Sequence, residues 1–142
     1  MKTQRMPSRS RHLLLGIVVL GAAAMYSYHA QAATGQPAIP PGVALKSWQD
    51  NGADGHYLLQ VIEGQTPKTG KTIVGTVTSD TDCQADAEGL SHCHNAIKLA
   101  DGGSITVVDT HEMHRNRCMQ PGEQISLKVV GKAWVIGTVF KK

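Results

Sequence analysis

His92-Cys93-His94-Asn95-Ala96-Ile97-Lys98-Leu99-Ala100-Asp101-Gly102-Gly103-Ser104-Ile105-Thr106-Val107-Val108-Asp109 decides the fold. Two runs of alternating apolar and polar residues flank Asp101-Gly102, and glycine supplies the positive φ that a tight hairpin turn demands. A turn centred on Asp101 and Gly102 sets Ile97 near Thr106, Cys93 near Thr110 and His92 near His111. The following stretch, His111-Glu112-Met113-His114-Arg115-Asn116-Arg117-Cys118-Met119, starts where this hairpin ends. Imidazoles and sulfurs that are distant along the chain therefore gather at the hairpin's open end.

Working outward, period-two alternation predicts strands over 56–63, 72–79, 94–100, 104–109, 124–130 and 133–139. Pro121-Gly122 punctuates the loop before the fifth, and Gly131-Lys132 suits a tight turn into the sixth. No segment after residue 32 keeps a helical period over three turns, although residues 110–117 have room for one or two. Six short strands with regular turns predict an all-β domain over 43–142, a small antiparallel barrel (OB-like) with a short helical insertion. An immunoglobulin-like sandwich is the competing architecture. Gly64, Gly70, Gly75 and Gly137 fall in or beside strands where a barrel has to bend, which favours closure.

The N-terminus reads as an export signal. Lys2, Arg5, Arg9 and Arg11 form a basic start without an acid, residues 13–25 are apolar, and Ala30-Gln31-Ala32 offers a small-residue cleavage site. The apolar run is shorter than the roughly 20 residues a membrane span needs, so cleavage after Ala32, leaving no stable membrane span, is predicted over the alternative of a retained anchor. A periplasmic or secreted location follows. Residues 33–42 are rich in proline and glycine and suit a linker.

Export alters the charge argument. The chain carries 14 Lys plus Arg against 11 Asp plus Glu, but four of the bases lie in the signal. The exported part is near neutral, without the basic stripe that nucleic-acid binding requires.

Three cysteines remain after cleavage, Cys83, Cys93 and Cys118, and an oxidising compartment favours pairing two of them. A Cys83–Cys93 bridge closes a short loop and leaves Cys118 free beside the histidines. Cys93 with Cys118 is also feasible across the hairpin, and spacing does not choose between them.

Imidazole, thiolate and thioether are donors for copper and zinc. His92, His94, His111 and His114 with Cys118 are the candidate metal ligands, and Met113 and Met119 the auxiliary ones. The thioethers tilt the choice toward copper as Cu(I), and oxidation of Cys118 would leave a histidine-rich set that returns it toward zinc or Cu(II). None of the spacings is a recognised metal motif, and Lys98, on the same face as His94, marks that face as wet. The alternative is a disulfide-stabilised module that docks an envelope protein and holds no metal.

An enzyme is not expected. Nucleophile pairs Cys118/His114 or Cys93/His111 can be drawn with Asp109 as orienter, but a small barrel poor in aromatics gives little sign of a deep pocket. The acidic loop from Asp80 to Glu88 lacks the glycine and the ligand order of a calcium loop.

Overall fold

A computed structural model describes residues 36–68 and 70–141. The expected signal, residues 1–32, lies outside them. The strands are β1 (His56–Glu63), β2 (Thr72–Thr81), β3 (Ser91–Leu99), β4 (Ser104–His111), β5 (Gln124–Gly131) and β6 (Trp134–Val139). They close into a barrel in the order β1-β4-β3-β2-β5-β6, with every neighbouring pair antiparallel. The expected barrel is present, with six strands and full closure where an OB barrel has five and is partly open. Closure leaves no unpaired sheet edge, which a sandwich would have.

Alternation builds the interior. Val77, Ile97, Leu99, Ile105, Val107, Ile125, Leu127, Val129 and Val135 point inward and are buried, while their neighbours in sequence face out. β-Branched and leucine side chains fill a barrel that few aromatics could fill. Gly75 in β2 and Gly137 in β6 are close-approach positions inside the strands. A Cβ at Gly75 would lie 2.6 Å from Ile97 Cγ2 and 3.0 Å from the Lys98 carbonyl.

Outside the barrel, a second cluster joins Trp48, Leu58 and Leu90 to Ile39, Val43, Leu45, Val130, Trp134 and Ile136. Trp48 stacks on Trp134 with centroids 5.9 Å apart, and its indole N–H donates to the Pro37 carbonyl at 2.9 Å. Part of the stretch expected as linker is thus packed against the wall formed by β1 and β6.

The helical insertion differs from expectation. Residues 112–117 make a single turn, in which the Arg115 and Asn116 N–H groups both donate to the Glu112 carbonyl at 3.0 Å. The helical pieces are instead two 3-10 turns before β1, Trp48–Asp50 and Ala53–Gly55.

Hairpin register is the other correction. Ile97 pairs with Ile105, Cys93 with Asp109, His92 with Thr110 and Ser91 with His111, one residue away from the expected pairing. The loop has three residues, Ala100-Asp101-Gly102, closed by bonds from Leu99 N to Gly103 O at 2.9 Å and from Gly102 N to Leu99 O at 3.0 Å. Gly102 takes φ 95°, the left-handed residue such three-residue loops use. Odd-numbered residues of β3 now face odd-numbered residues of β4, and all of them point inward.

Candidate metal and thiol centre

That parity decides which side chains meet. On β3 it carries Cys93 and Asn95 inward and His92 and His94 outward. On β4 it carries Asp109 and His111 inward, both without solvent exposure. A bulge in β2 between Val77 and Ser79 inserts one residue, after which Ser79 pairs with Ala96 and Asp80 with Asn95. Without the bulge Asp80 would point outward. With it, Asp80 shares the inner face with Asn95, whose Nδ2 donates to Asp80 Oδ1 at 2.9 Å. Two loops complete this end of the barrel, one bringing Cys83 from beyond β2 and the other bringing Cys118 from beyond β4.

One donor atom from each of Asp80, Cys83, Cys93 and Cys118 lies within 4.8 Å of all the others. Cys83 and Cys93 form a disulfide and Cys118 is free. The Cys118 sulfur is 3.8 Å from Cys93 Sγ and 3.5 Å from His111 Nε2. His111 Nδ1 faces Asp109 Oδ2 at 3.2 Å, and Asn51, also fully buried, donates from Nδ2 to Asp109 Oδ1 at 3.2 Å.

Charge is concentrated here. Burial pushes the Cys118 thiol up, and the Asp80 and Asp109 carboxylates push it further. Burial likewise raises Asp109, against the pull of His111. Burial alone would lower His111, yet the adjacent Asp109 carboxylate holds it above the ordinary imidazole value. A pocket that opposes free thiolate is one that a divalent cation would neutralise.

The expected ligands divide. Cys118 belongs to the cluster, and His111 touches it through Cys118. His92 is spent on the outer face, between Thr110 Oγ1 at 3.0 Å and Asp86 Oδ2 at 2.9 Å. His94 lies 3.7 Å from Asp82 Oδ2, also outside. His114 and Met113 are exposed in the turn after β4, whereas Met119 is buried in the barrel core. The thioethers therefore sit in two different environments. Of the disulfide alternatives, the structure contains Cys83–Cys93. The nucleophile pairs drawn from the sequence are re-sorted: Cys118 meets His111, with Asp109 behind it.

Asp80 as a cluster member and Asn51 as the anchor of Asp109 were missed in the sequence. Continuing the parity of Ile97/Leu99 and Ile105/Val107 toward the open end would have found Cys93, Asp109 and His111. No local signal marks the β2 bulge that turns Asp80 inward.

No protein-family model, curated protein or solved structure matches this chain.

Proposed function

We propose that this protein is an exported β-barrel that binds one thiolate-loving transition metal at Asp80, Cys83, Cys93 and Cys118 once the Cys83–Cys93 disulfide is reduced. The observation that carries this reading is the convergence of three sulfurs and a carboxylate within 4.8 Å. Zinc–thiolate bonds of about 2.3 Å in a tetrahedron place sulfurs about 3.8 Å apart. Cys93 and Cys118 already have that separation, so loading requires mainly that Cys83 move away from Cys93. The carboxylate favours zinc, since Cu(I) is satisfied by sulfur alone. The basic, apolar N-terminus with its Ala-Gln-Ala end supports export.

Binding rather than turnover is the role this geometry suits. His111 is sealed from solvent, and the cleft lined by Gly52, Tyr57, Arg115, Asn116 and Arg117 includes neither Cys118 nor His111.

Cobalt(II) titration of the fully reduced, untagged protein tests the proposal. One equivalent producing thiolate charge-transfer and tetrahedral visible bands, displaced by zinc and lost in Cys118→Ser, is the expected result. A folded, reduced protein that takes up neither cobalt, zinc nor Cu(I) overturns it and leaves a metal-free docking module.

A further inference from the structure

The oxidised form raises a separate question, because a free thiol rests against a disulfide sulfur with an imidazole beside it. We propose that the disulfide moves: Cys118 Sγ attacks Cys93 Sγ, the Cys93–Cys118 bond forms, the Cys83–Cys93 bond breaks, and Cys83 is released as a thiol. The electron pair of the broken bond leaves on Cys83 Sγ. The Cys118 proton passes to His111 Nε2, 3.5 Å away, and His111 hands it on to the Cys83 thiolate as that sulfur leaves, so no net proton is gained or lost. One disulfide and one thiol exist before and after, so no oxidant or reductant is consumed.

The parts around Cys118 fit this step. His111 is the proton acceptor, and Asp109 with Asn51 behind it positions the ring so that Nε2 faces the sulfur. Cys93 is fixed in β3 and fully buried. Cys83 is partly exposed in the segment between β2 and β3, following Asp82, which sits at φ 56°. The leaving sulfur is therefore the one best able to turn.

Turning is required. An in-line path, with an S–S bond of about 2.05 Å beyond the 3.8 Å contact, would place Cys118 and Cys83 sulfurs nearly 6 Å apart. They lie within 4.8 Å, so Cys118 rests at the side of the bond. Exchange waits on Cys83 swinging outward and is slow for that reason. Its effect is to transfer the free thiol from the barrel end to the acidic loop holding Asp82, Asp86 and Glu88, where another exported thiol or disulfide protein can meet it.

The test uses oxidised protein kept metal-free with a chelator, so it is independent of metal binding by the reduced form. The protein is alkylated with iodoacetamide at several concentrations and mapped without reduction. The expected result is label on both Cys118 and Cys83, with a Cys93–Cys118 linkage in every chain labelled at Cys83. Label confined to Cys118 at all times and concentrations overturns the proposal. Cys83→Ser, oxidised with diamide and shown to be folded by near-ultraviolet circular dichroism, is expected to form Cys93–Cys118, and a folded variant that does not form it overturns the proposal as well. His111→Gln is expected to slow labelling of Cys83 by about ten-fold or more while reaching the same final ratio, as loss of a proton acceptor does. An unchanged rate overturns the proton path.

Discussion

His111 Nδ1 lies 3.2 Å from Asp109 Oδ2, and neither side chain is reached by solvent. Neither atom has a hydrogen-bond partner elsewhere, and each group acts on the other, raising His111 and opposing the rise of Asp109, so the two depend on each other. Removing one member of such a buried pair leaves an uncompensated group in a low-dielectric site. Asp109→Ala is expected to lower the unfolding free energy by roughly 3–5 kcal/mol, read from urea denaturation of the oxidised protein. A loss below about 1 kcal/mol, the range of exposed pairs, would show that the pair does not hold the barrel end.

Asn51 ties the segment before β1 to the barrel. Its Nδ2 donates to the Leu58 carbonyl at 3.0 Å and the Thr110 carbonyl at 2.9 Å, and its Oδ1 accepts from Leu58 N at 2.7 Å. Asn51→Ala strands these groups in the interior, at a cost on the order of 3 kcal/mol. Thermal denaturation of the variant should show this as a clear drop in midpoint. Because Asn51 also touches Asp109, its effect and that of Asp109→Ala should not add.

Two interior glycines should differ in their tolerance of alanine. At Gly137 the nearest atoms to an added Cβ are side-chain ends, Ile125 Cδ1 at 2.5 Å and Leu59 Cδ1 at 3.0 Å, which can shift. At Gly75 one obstacle is the Lys98 backbone carbonyl at 3.0 Å. Gly75→Ala is expected to destabilise by about 1–3 kcal/mol and Gly137→Ala by less. Equal midpoints for the two variants in parallel urea melts would contradict this ordering.

Acid should loosen the loop before β3. Asp86 Oδ1 accepts from the Glu88 and Leu90 N–H groups at 2.9 and 3.0 Å, and Oδ2 faces His92 Nε2 at 2.9 Å. Burial works to raise this carboxyl, but the His92 contact and the two backbone donors outweigh it and hold it below its usual value. A depressed folded value means the stabilisation is present above the unfolded carboxylate value of about 3.9 and is lost as pH falls through the folded one. Hydrogen exchange at the Leu90 amide should accelerate, relative to its intrinsic rate, in that acid range. Asp86→Asn should remove that response, and a variant that keeps it would assign the response to another group.

Tyr57 is the tyrosine of the described residues. Burial and the nearby Asp109 push its phenol up to about 12, and its hydroxyl donates to the Arg117 carbonyl at 2.9 Å. Its neutral form stabilises the fold below the ordinary phenol value of about 10, and that contribution disappears as pH rises through the folded value. Ultraviolet titration of a chain beginning at residue 33 should show no phenolate until near 12. Ionisation near 10 would place the ring in water.

Much of the barrel was legible because its interior is written in period two. Ile97, Leu99, Ile105, Val107, Ile125, Leu127 and Val129 each mark an inward position, and glycine or proline punctuates the turns between strands. The hairpin was legible as a hairpin but not in register, since Asp-Gly suits both a two-residue turn and the three-residue loop that Gly102 adopts. That single step separated His92 and His94 from His111, because a one-residue slip exchanges the faces of a strand.

By itself the sequence determined strands, their inner faces, the convergence of 93 with the 109–118 region, and a surplus thiol beside histidine, since these follow from local periodicity and residue chemistry. Only the tertiary structure decided that Asp80 joins Cys83, Cys93 and Cys118, and that Asn51 stands behind Asp109. A bulge in β2 and two loops crossing one barrel end make those contacts. Their geometry depends on packing among distant segments and leaves no trace in the pattern of any one of them.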